Sequence, residues 1–122
     1  MNNRELKEIL KNYKFFLFNQ KISGQYNIRE TMKKRSGRDL SFEIEDEEKF
    51  INDLKESAEL LKEYPNNGSI LYELIMNSYF RDGEKQCSKE IASLNESTKT
   101  KYRWQGINVM LEVLDGKKSL AN

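Results

Sequence analysis

The side chains whose types and spacing could do chemistry lie in one stretch, KQCSKEIASLNESTKTKYRW, at residues 85–104. Its second half brings hydroxyl and cationic side chains together at the start of a predicted helix. Lysine and glutamine can hydrogen-bond the edges of DNA bases, and threonine, tyrosine and lysine can bind phosphates. The pattern therefore predicts a helix face that reads duplex DNA. The alternative is the ordinary solvated face of a helical protein.

The same stretch has the pattern of a helix-turn-helix. A short first helix is predicted over residues 88–94, with Ser88 as its N-cap. Its inward apolar residues are Ile91, Ala92 and Leu94. Residues 95–97 supply the tight break that the motif needs, and Ser97 is expected to cap the helix that follows.

The second helix of this pair is predicted to run from about Thr98 to Leu114 and to end at Asp115-Gly116. Its inward stripe consists of Thr100, Trp104, Ile107, Met110, Leu111 and Leu114. The side chains expected in the major groove are Lys99, Lys101, Tyr102 and Gln105. Those expected to hold phosphates, together with the helix N-terminus, are Ser97, Thr98 and Arg103.

A basic run, Lys33-Lys34-Arg35-Ser36-Gly37-Arg38, is a second candidate for phosphate contact. It falls in residues 19–41, which lack a helical period and are predicted to be a loop with a short helical turn near residues 28–33. The run is either a clamp on DNA phosphates or a solvated loop that partly pairs with an acidic helix over residues 43–63. That acidic helix is an interaction surface, a mask over the basic loop, or the charged outer face of a core helix.

Apolar residues elsewhere recur three and four positions apart, which is the spacing of amphipathic helices. This spacing predicts helices over residues 3–18, 43–63 and 69–80, the last closed by Asp82-Gly83. Added to the two helices of the C-terminal pair, they give an expected all-α fold of about five helices with a C-terminal helix-turn-helix. A weak strand-like alternation, LSFEI, occurs near residue 42.

A chain of 122 residues is expected to form a single domain over residues 1–122. The N-terminal helices and the basic loop would occupy residues 1–64, and the helix-turn-helix region residues 69–115. The first helix is apolar on more than one side, with the residues Tyr13, Phe15, Phe16, Leu17 and Phe18. This indicates either a dimer interface or burial on two sides within the core of one copy.

The composition excludes several classes of function. The chain has one cysteine and no histidine, so it can form no internal disulfide and has no histidine for acid–base catalysis. Cys87 is expected to be a small buried or capping residue, and the acidic run near residue 45 lacks the spacing of a calcium loop. No apolar run reaches the length of a membrane span or of a signal peptide core. We therefore expect a cytoplasmic protein without membrane, metal, cofactor or catalytic activity.

Charge is segregated along the chain although the net charge is only +1. Residues 1–42 hold 10 Lys and Arg against 4 Asp and Glu, and residues 43–64 hold 3 against 9. Residues 65–122 are nearly balanced, with 8 against 7. The small net charge is therefore a poor guide to the partner, because a basic front and an acidic middle cancel in the sum.

The C-terminal half resembles the ArpU-like phage transcriptional regulators, a family with a helix-turn-helix similar to region 4 of sigma factors. Lys89-Glu90-Ile91 matches the "K-E-I" helix of that family. The serine-led run that ends "S-T-Y-Y-R" is matched by Ser97, Thr100, Tyr102 and Arg103. The preceding LYELIMNSYFRDGEK is similar to the family's "L-x-x-R-Y" helix and its loop. The resemblance covers roughly residues 70–114.

The sequence departs from the family pattern at three places. Lys101 stands where the family has its first tyrosine, and Asn77-Ser78 stand where an arginine is expected before Tyr79. Gly106-Ile107-Asn108 replaces an alanine-rich continuation, and Gly106 costs about 1 kcal/mol in a helix interior. These changes bear on the base contacts more than on the fold.

The resemblance implies a sequence-specific DNA-binding regulator of phage or prophage late or packaging genes, acting in the cytoplasm of a Gram-positive bacterial host. Double-stranded DNA is then the expected partner, with RNA polymerase as a further candidate. A homodimer is expected, because one such helix buries too little surface for tight binding. The alternative function is a small helical phage-encoded interaction module, an adaptor or an inhibitor of a host factor, without DNA binding.

Overall fold

The structure, a computed structural model, describes residues 1–81 and 88–121, with side chains through Gly116. Two sequence-based expectations, the helix end at Asp82-Gly83 and the role of Cys87, lie outside the described residues. The α-helices are α1 (Asn3–Lys11), α2 (Tyr13–Ser23), α3 (Ile28–Ser36), α4 (Glu47–Glu59), α5 (Gly68–Ile75), α6 (Lys89–Ala92) and α7 (Glu96–Ala121). A 3₁₀ turn, Leu60–Glu63, extends α4, and a π-helical turn, Met76–Phe80, extends α5.

The all-α expectation is confirmed for the described part of the chain, where LSFEI forms no strand. The expected count of about five helices is wrong, since the described residues form seven α-helices. One extra helix arises because the predicted first helix is divided at Asn12, and the other because α3 forms within the predicted loop.

The division between α1 and α2 follows from the side chain of Asn12. This side chain is buried, and its amide donates a 2.8 Å hydrogen bond to the backbone carbonyl of Glu8. Its Oδ1 accepts a 2.8 Å hydrogen bond from Nε of Arg35. Because a buried polar group needs partners, these bonds fix Asn12 at the junction of α1, α2 and α3. Apolar periodicity alone could not show this break.

Residues 28–36 form a complete helix because both of its ends are satisfied. At the start, the backbone N–H of Ile28 donates a 2.8 Å hydrogen bond to Oε2 of Glu47. At the end, Gly37 adopts a left-handed conformation, and its N–H donates to the carbonyl of Lys33 at 3.1 Å. The Ser36-Gly37 pair that predicted a turn is therefore the C-terminal cap of α3, and the basic run occupies the last turn of a helix.

The last helix is longer at both ends than the sequence predicted. It begins at Glu96 and continues to Ala121, so Asp115-Gly116 does not end it. Gly116 has no left-handed conformation in the structure and therefore does not act as a cap. Thr100, which was assigned to the inward stripe, is exposed, whereas Ile107 and Met110 are buried as expected.

The core lies where α7 crosses α5 and α4, with α1 covering one side. Its fully buried large side chains include Leu6, Ile9, Leu10, Phe16, Leu54, Leu61, Leu71, Ile75, Ile107 and Met110. These residues come from five different helices and the 3₁₀ turn, so the N-terminal and C-terminal segments share one core. Within the described residues, no helix combines the length and the apolar content that crossing a bilayer requires.

Candidate nucleic-acid interface

The start of α7 is fixed by a side-chain cap. Oδ1 of Asn95 accepts hydrogen bonds at 2.8 Å from the backbone N–H of Thr98 and from Oγ of Ser97. The cap is therefore Asn95, and the expectation that Ser97 would cap the helix is wrong. Ser97 lies inside the first turn and is exposed, beside the half-buried Thr98.

The helix α6 is a single turn that is tied to α5. Oγ of Ser88 accepts a 3.3 Å hydrogen bond from the backbone N–H of Ile91, which is the expected N-cap. The backbone N–H of Ser88 donates to Oε1 of Glu73 on α5 at 2.6 Å. The α5 helix packs against both α6 and α7. A three-helix unit in which the first helix supports the other two is one of the settings in which helix-turn-helix motifs occur.

The exposed side of α7 is polar for three turns and then acidic. Successive residues turn by about 100° around a helix, so Lys101, Gln105 and Asn108 form one line. Lys101 and Asn108 are exposed, and Gln105 is half-buried. The next residue in this line, Glu112, is exposed and negatively charged. The line is therefore free of negative charge only along the N-terminal half of the helix.

Lys99 and Arg103 lie on another side of α7. They share the carboxylate of Glu96, with Nζ of Lys99 3.6 Å from Oε1 and a guanidinium nitrogen of Arg103 3.7 Å from Oε2. Lys99 and Lys101 are two positions apart in the sequence, so they lie about 200° apart around the helix. The structure therefore does not place Lys99 and Lys101 on one face. It places Lys101 with Gln105, and Lys99 with Arg103.

The two aromatic residues of this region are both half-buried, and both pack against the core. Tyr102, which was expected in the major groove, is half-buried and packs against the core. Trp104, expected to be a core residue, is also half-buried, and Nζ of Lys7 lies 4.6 Å from the centre of its ring. This contact places a cation from α1 beside the first half of α7.

The α1 helix runs antiparallel to the first half of α7. Asn3 and Asn108 are joined by a 3.1 Å hydrogen bond between their side chains, while Lys7 lies one turn further along and contacts Trp104. Burial raises the pKa of the Tyr79 hydroxyl, while the positive charge of Arg103 lowers it and the negative charge of Glu8 on α1 raises it. The α1 helix therefore lies alongside the first half of α7 and contacts it through Asn3 and Lys7.

The basic run and the start of α7 are not brought together. Lys7 of α1 faces α7, whereas Glu5, about 200° away around α1, accepts hydrogen bonds at 2.8 and 2.6 Å from the backbone N–H and Oγ of Ser41. The α1 helix, roughly 10 Å wide, thus lies between the two basic groups. Among the described hydrogen bonds and ion pairs, none joins the residues of the basic run to residues 97–105.

The members of the basic run have different partners. Nζ of Lys33 is 3.8 Å from Oδ2 of Asp39, and the guanidinium of Arg35 lies 3.5 Å above the ring of Phe15 while bonding Asn12. Lys34 and Arg38 are exposed, and the structure describes no ion pair for either. Lys34 and Arg38 are therefore the members of the run best placed to meet a phosphate.

Two acidic residues near the start of α4 contact α3. Glu43 is 3.6 Å from a guanidinium nitrogen of Arg29, and Glu47 accepts the N–H of Ile28. Arg29 also donates to Asp39 and, at 2.6 Å, to the backbone carbonyl of Phe42. These bonds connect the first turn of α3 to residues 39–47, the loop that follows α3 and the start of α4. They give no support to the hypothesis that the acidic helix masks the basic run at the other end of α3.

Sequence reasoning missed three residues that shape this surface. Lys7 and Asn3 belong to a helix far away in the chain, and no local pattern could indicate that they contact α7. Glu96 was assigned to the break between the helices. Its position three residues before Lys99 and seven before Arg103 would have indicated a shared ion pair if the helix had been predicted to start at residue 96.

Comparison of the chain with protein-family models, with curated proteins and with solved structures finds no match. The resemblance to the ArpU-like regulators therefore rests on the motif residues given above. In the described part of the chain, no group of three or more cysteine, aspartate or glutamate residues is placed to hold a metal ion.

Proposed function

We propose that this protein is a sequence-specific DNA-binding transcriptional regulator that inserts the N-terminal half of α7 into the major groove. The observation that carries the proposal is the polar line of Lys101, Gln105 and Asn108, in which Lys101 and Asn108 are exposed and Gln105 is half-buried, on a helix whose opposite side is buried. Such a helix can enter the groove without losing its contacts with the core.

The contacts divide according to the sides of α7. Lys101 and Gln105 face the base edges, where lysine bonds the acceptors of guanine and glutamine bonds adenine. Ser97 and Thr98 lie at the helix N-terminus, where backbone N–H groups and a hydroxyl suit a phosphate. Lys99 and Arg103 pair with Glu96 on the other side of α7, so they would have to leave this carboxylate to reach a phosphate.

The basic run contributes a second group of phosphate contacts. Lys34 and Arg38 supply its exposed charges, and they lie across α1 from the reading helix. A duplex is about 20 Å wide and presents phosphates on both sides of its grooves, so contacts separated by one helix width are compatible with one binding event. These contacts add affinity without adding sequence preference.

The biological setting of the proposal comes from the resemblance to the ArpU-like group. It is the control of phage or prophage late or packaging genes in a bacterial host cell, with RNA polymerase as a candidate partner. The proposal assigns no catalytic residue, cofactor or metal. The order of the helices supports it, because three helices, α5, α6 and α7, follow one another within residues 68–121.

The proposal is tested by measuring duplex DNA binding over a series of salt concentrations. The probe is DNA from the protein's own genomic neighbourhood. Wild type should bind with an affinity that falls steeply with salt, and a Lys99→Ala/Lys101→Ala pair should bind more weakly with a shallower dependence. Lys55→Ala on α4 is the control, since this lysine is exposed and is not among the residues that we propose to contact DNA. Absence of binding at low salt by the folded protein would refute the proposal.

The second candidate function is an interaction module that binds another protein and no DNA. The observation that favours it is the large exposed apolar area on α2, which the reading helix does not explain. An adaptor would tolerate Lys101→Ala and Gln105→Ala, whereas a regulator would not.

A further inference from the structure

The outer side of α2 carries an apolar surface that the other described residues leave uncovered. Its members, which we call the α2 patch, are Phe15, Leu17, Phe18 and Ile22, with 39%, 40%, 58% and 68% of their areas exposed. Leu60 is the other large apolar side chain that is exposed in the described part of the chain. Four such residues on one 11-residue helix mark an interaction site, since single exposed apolar residues are normal but clusters are not.

The two explanations for an apolar N-terminal segment can now be separated. The inward side of α2 is occupied by Tyr13 and Phe16, which are buried. Phe18 and Ile22 lie on the other side and contact mainly solvent. Burial on two sides among the described residues therefore does not account for the pattern, and the α2 patch is open to a partner.

The patch is held in place before any partner arrives. The guanidinium of Arg35 stacks on Phe15, and Nδ2 of Asn19 donates to Oγ1 of Thr31 at 2.8 Å and to the carbonyl of Tyr26 at 3.0 Å. These contacts fix α2 on α3. A partner consequently meets a preformed surface and pays little conformational entropy to order it.

We propose that the α2 patch is the interface through which two copies of this chain pair, with their α2 helices antiparallel. Phe15, Phe18 and Ile22 follow one another at spacings of three and four, so they share one side of the helix. Phe18 is at the centre of this line. An antiparallel twofold pairing sets Phe18 against its own counterpart and Phe15 against Ile22 of the second copy.

The area of the patch is about half of one side of a standard interface, so it fits a weak dimer. Its exposed apolar part amounts to about 400 Å² per copy, taking roughly 200 Å² for each large side chain. A standard interface buries about 800 Å² on each side. The aliphatic stems of Lys14 and Lys21, which lie beside Leu17 on the same edge, supply further area. Dissociation constants in the micromolar range are expected.

Charge sets the salt dependence of this pairing. The α2 helix contains no acidic residue, and the twofold brings the edge with Lys21 next to the same edge of the second copy. Salt screens this like-charge contact, so added salt should leave the dimer unchanged or strengthen it. An acidic protein or an anionic lipid surface bound at the same patch would be released by salt instead.

The pairing would present two reading helices to two half-sites, and in this respect it rests on the proposed function. The α2 helix packs on α1, α3 and the π-helical turn, whereas α7 packs on α5, α4 and α1. The patch therefore leaves the exposed line of Lys101 and Gln105 available for DNA. Self-association without DNA does not depend on DNA reading, so the two proposals can fail separately.

The test is sedimentation equilibrium of the DNA-free protein from about 1 to about 200 µM, at about 0.1 and about 0.5 M NaCl. Wild type and Leu60→Asp, the control with a similarly exposed apolar residue outside the patch, should dimerise at both salt concentrations. Phe18→Asp and Ile22→Asp should weaken dimerisation by at least about tenfold, with unchanged circular dichroism. Both substituted residues are mostly exposed, so folding should survive the change.

Three results would overturn the inference: a wild type that stays monomeric, a dimer that persists in both α2 variants, or a dimer that dissociates at the higher salt. A monomer that binds vesicles with about 30% anionic lipid through Phe18 would assign the patch to a membrane surface instead. A dimer that binds no DNA would leave this inference standing and refute the proposed function alone.

Discussion

Gly106 of α7 lies directly against Ile75 of α5. A Cβ atom at residue 106 would be 2.8 Å from Cγ1 and 3.2 Å from Cδ1 of Ile75, which is fully buried. In the sequence, Gly106 departs from the alanine-rich pattern of the ArpU-like family and weakens the helix. In the structure, a larger residue at this position would collide with Ile75. Glycine allows α7 to approach α5 closely enough for Ile107 and Met110 to enter the core.

Gly106→Ala should therefore destabilise the protein although alanine is the better helix former. Overpacking a buried contact costs about 1–3 kcal/mol, and the gain in helix propensity offsets up to about 1 kcal/mol. We expect the free energy of unfolding to fall by about 1–2 kcal/mol in urea denaturation. The Gly106→Ala/Ile75→Ala pair should lose less than the sum of the two single changes, because the second removes the atom that the new methyl meets.

Gly68→Ala provides a comparison in which no side chain can move aside. A Cβ at residue 68 would lie 2.7 Å from the backbone carbonyl oxygen of Leu61 and 3.0 Å from that of Lys62. The loss of stability should exceed that of Gly106→Ala, since the 3₁₀ turn itself would have to shift. A smaller loss for Gly68→Ala, or a stabilisation by Gly106→Ala, would contradict these packing assignments.

Glu96→Gln should strengthen DNA binding. Glu96 pairs with both Lys99 and Arg103, which are among the residues that we propose to contact phosphates. Removing the negative charge of Glu96 frees two cations, so affinity should rise severalfold and the salt dependence should become steeper. Stability should change little, because the side chain of Glu96 is 81% exposed and such ion pairs contribute little.

Filter binding or fluorescence anisotropy over a salt series measures the effect of Glu96→Gln. Glu59→Gln is the matched control, since Glu59 is an exposed carboxylate at the end of α4. Equal gains from both variants would indicate a general effect of net charge and would remove the special role of Glu96.

The loop after α3 should make stability depend on pH in the acid range. Partial desolvation raises the pKa of Asp39, but the hydrogen bonds from Arg29 and from the N–H of Leu40, together with the charges of Arg29 and Lys33, outweigh it and leave the pKa below 3.8. A carboxyl whose pKa is lower in the folded state stabilises the fold above its unfolded pKa. That contribution disappears as the pH falls through the folded pKa.

Asp39→Asn should therefore reduce the slope of stability against pH between about pH 5 and about pH 3, and should leave the slope near pH 7 unchanged. Urea denaturation at several pH values measures this. An unaltered acid-range slope in Asp39→Asn would show that the Arg29–Asp39 contact adds nothing to folding.

The fold class and most helix positions could be predicted because apolar residues recur at helical spacing. The break at Asn12 could not, since it depends on hydrogen bonds to Glu8 and Arg35 that only the tertiary fold brings together. The helix α3 was missed because few of its residues are apolar, and its ends are set by Glu47 and Gly37.

At the candidate site, the sequence indicated the correct helix and the polar character of its start. The sequence did not predict that Lys99 and Lys101 lie on different sides of α7. The predicted helix started two residues too late, so the ion pair between Glu96 and Lys99 was not recognised. The contribution of α1 through Lys7 depends on residues far apart in the chain. A search for local motifs does not reach such contacts.

The most direct test of the central claim is selection of binding sites from a pool of random duplex DNA by wild type, Gln105→Ala and Lys101→Ala. If the exposed line of α7 reads bases, wild type enriches one motif, and each variant loses preference at one or two neighbouring positions while keeping the rest. If wild type enriches no motif, or if both variants select the wild-type motif unchanged, α7 is not the reading helix.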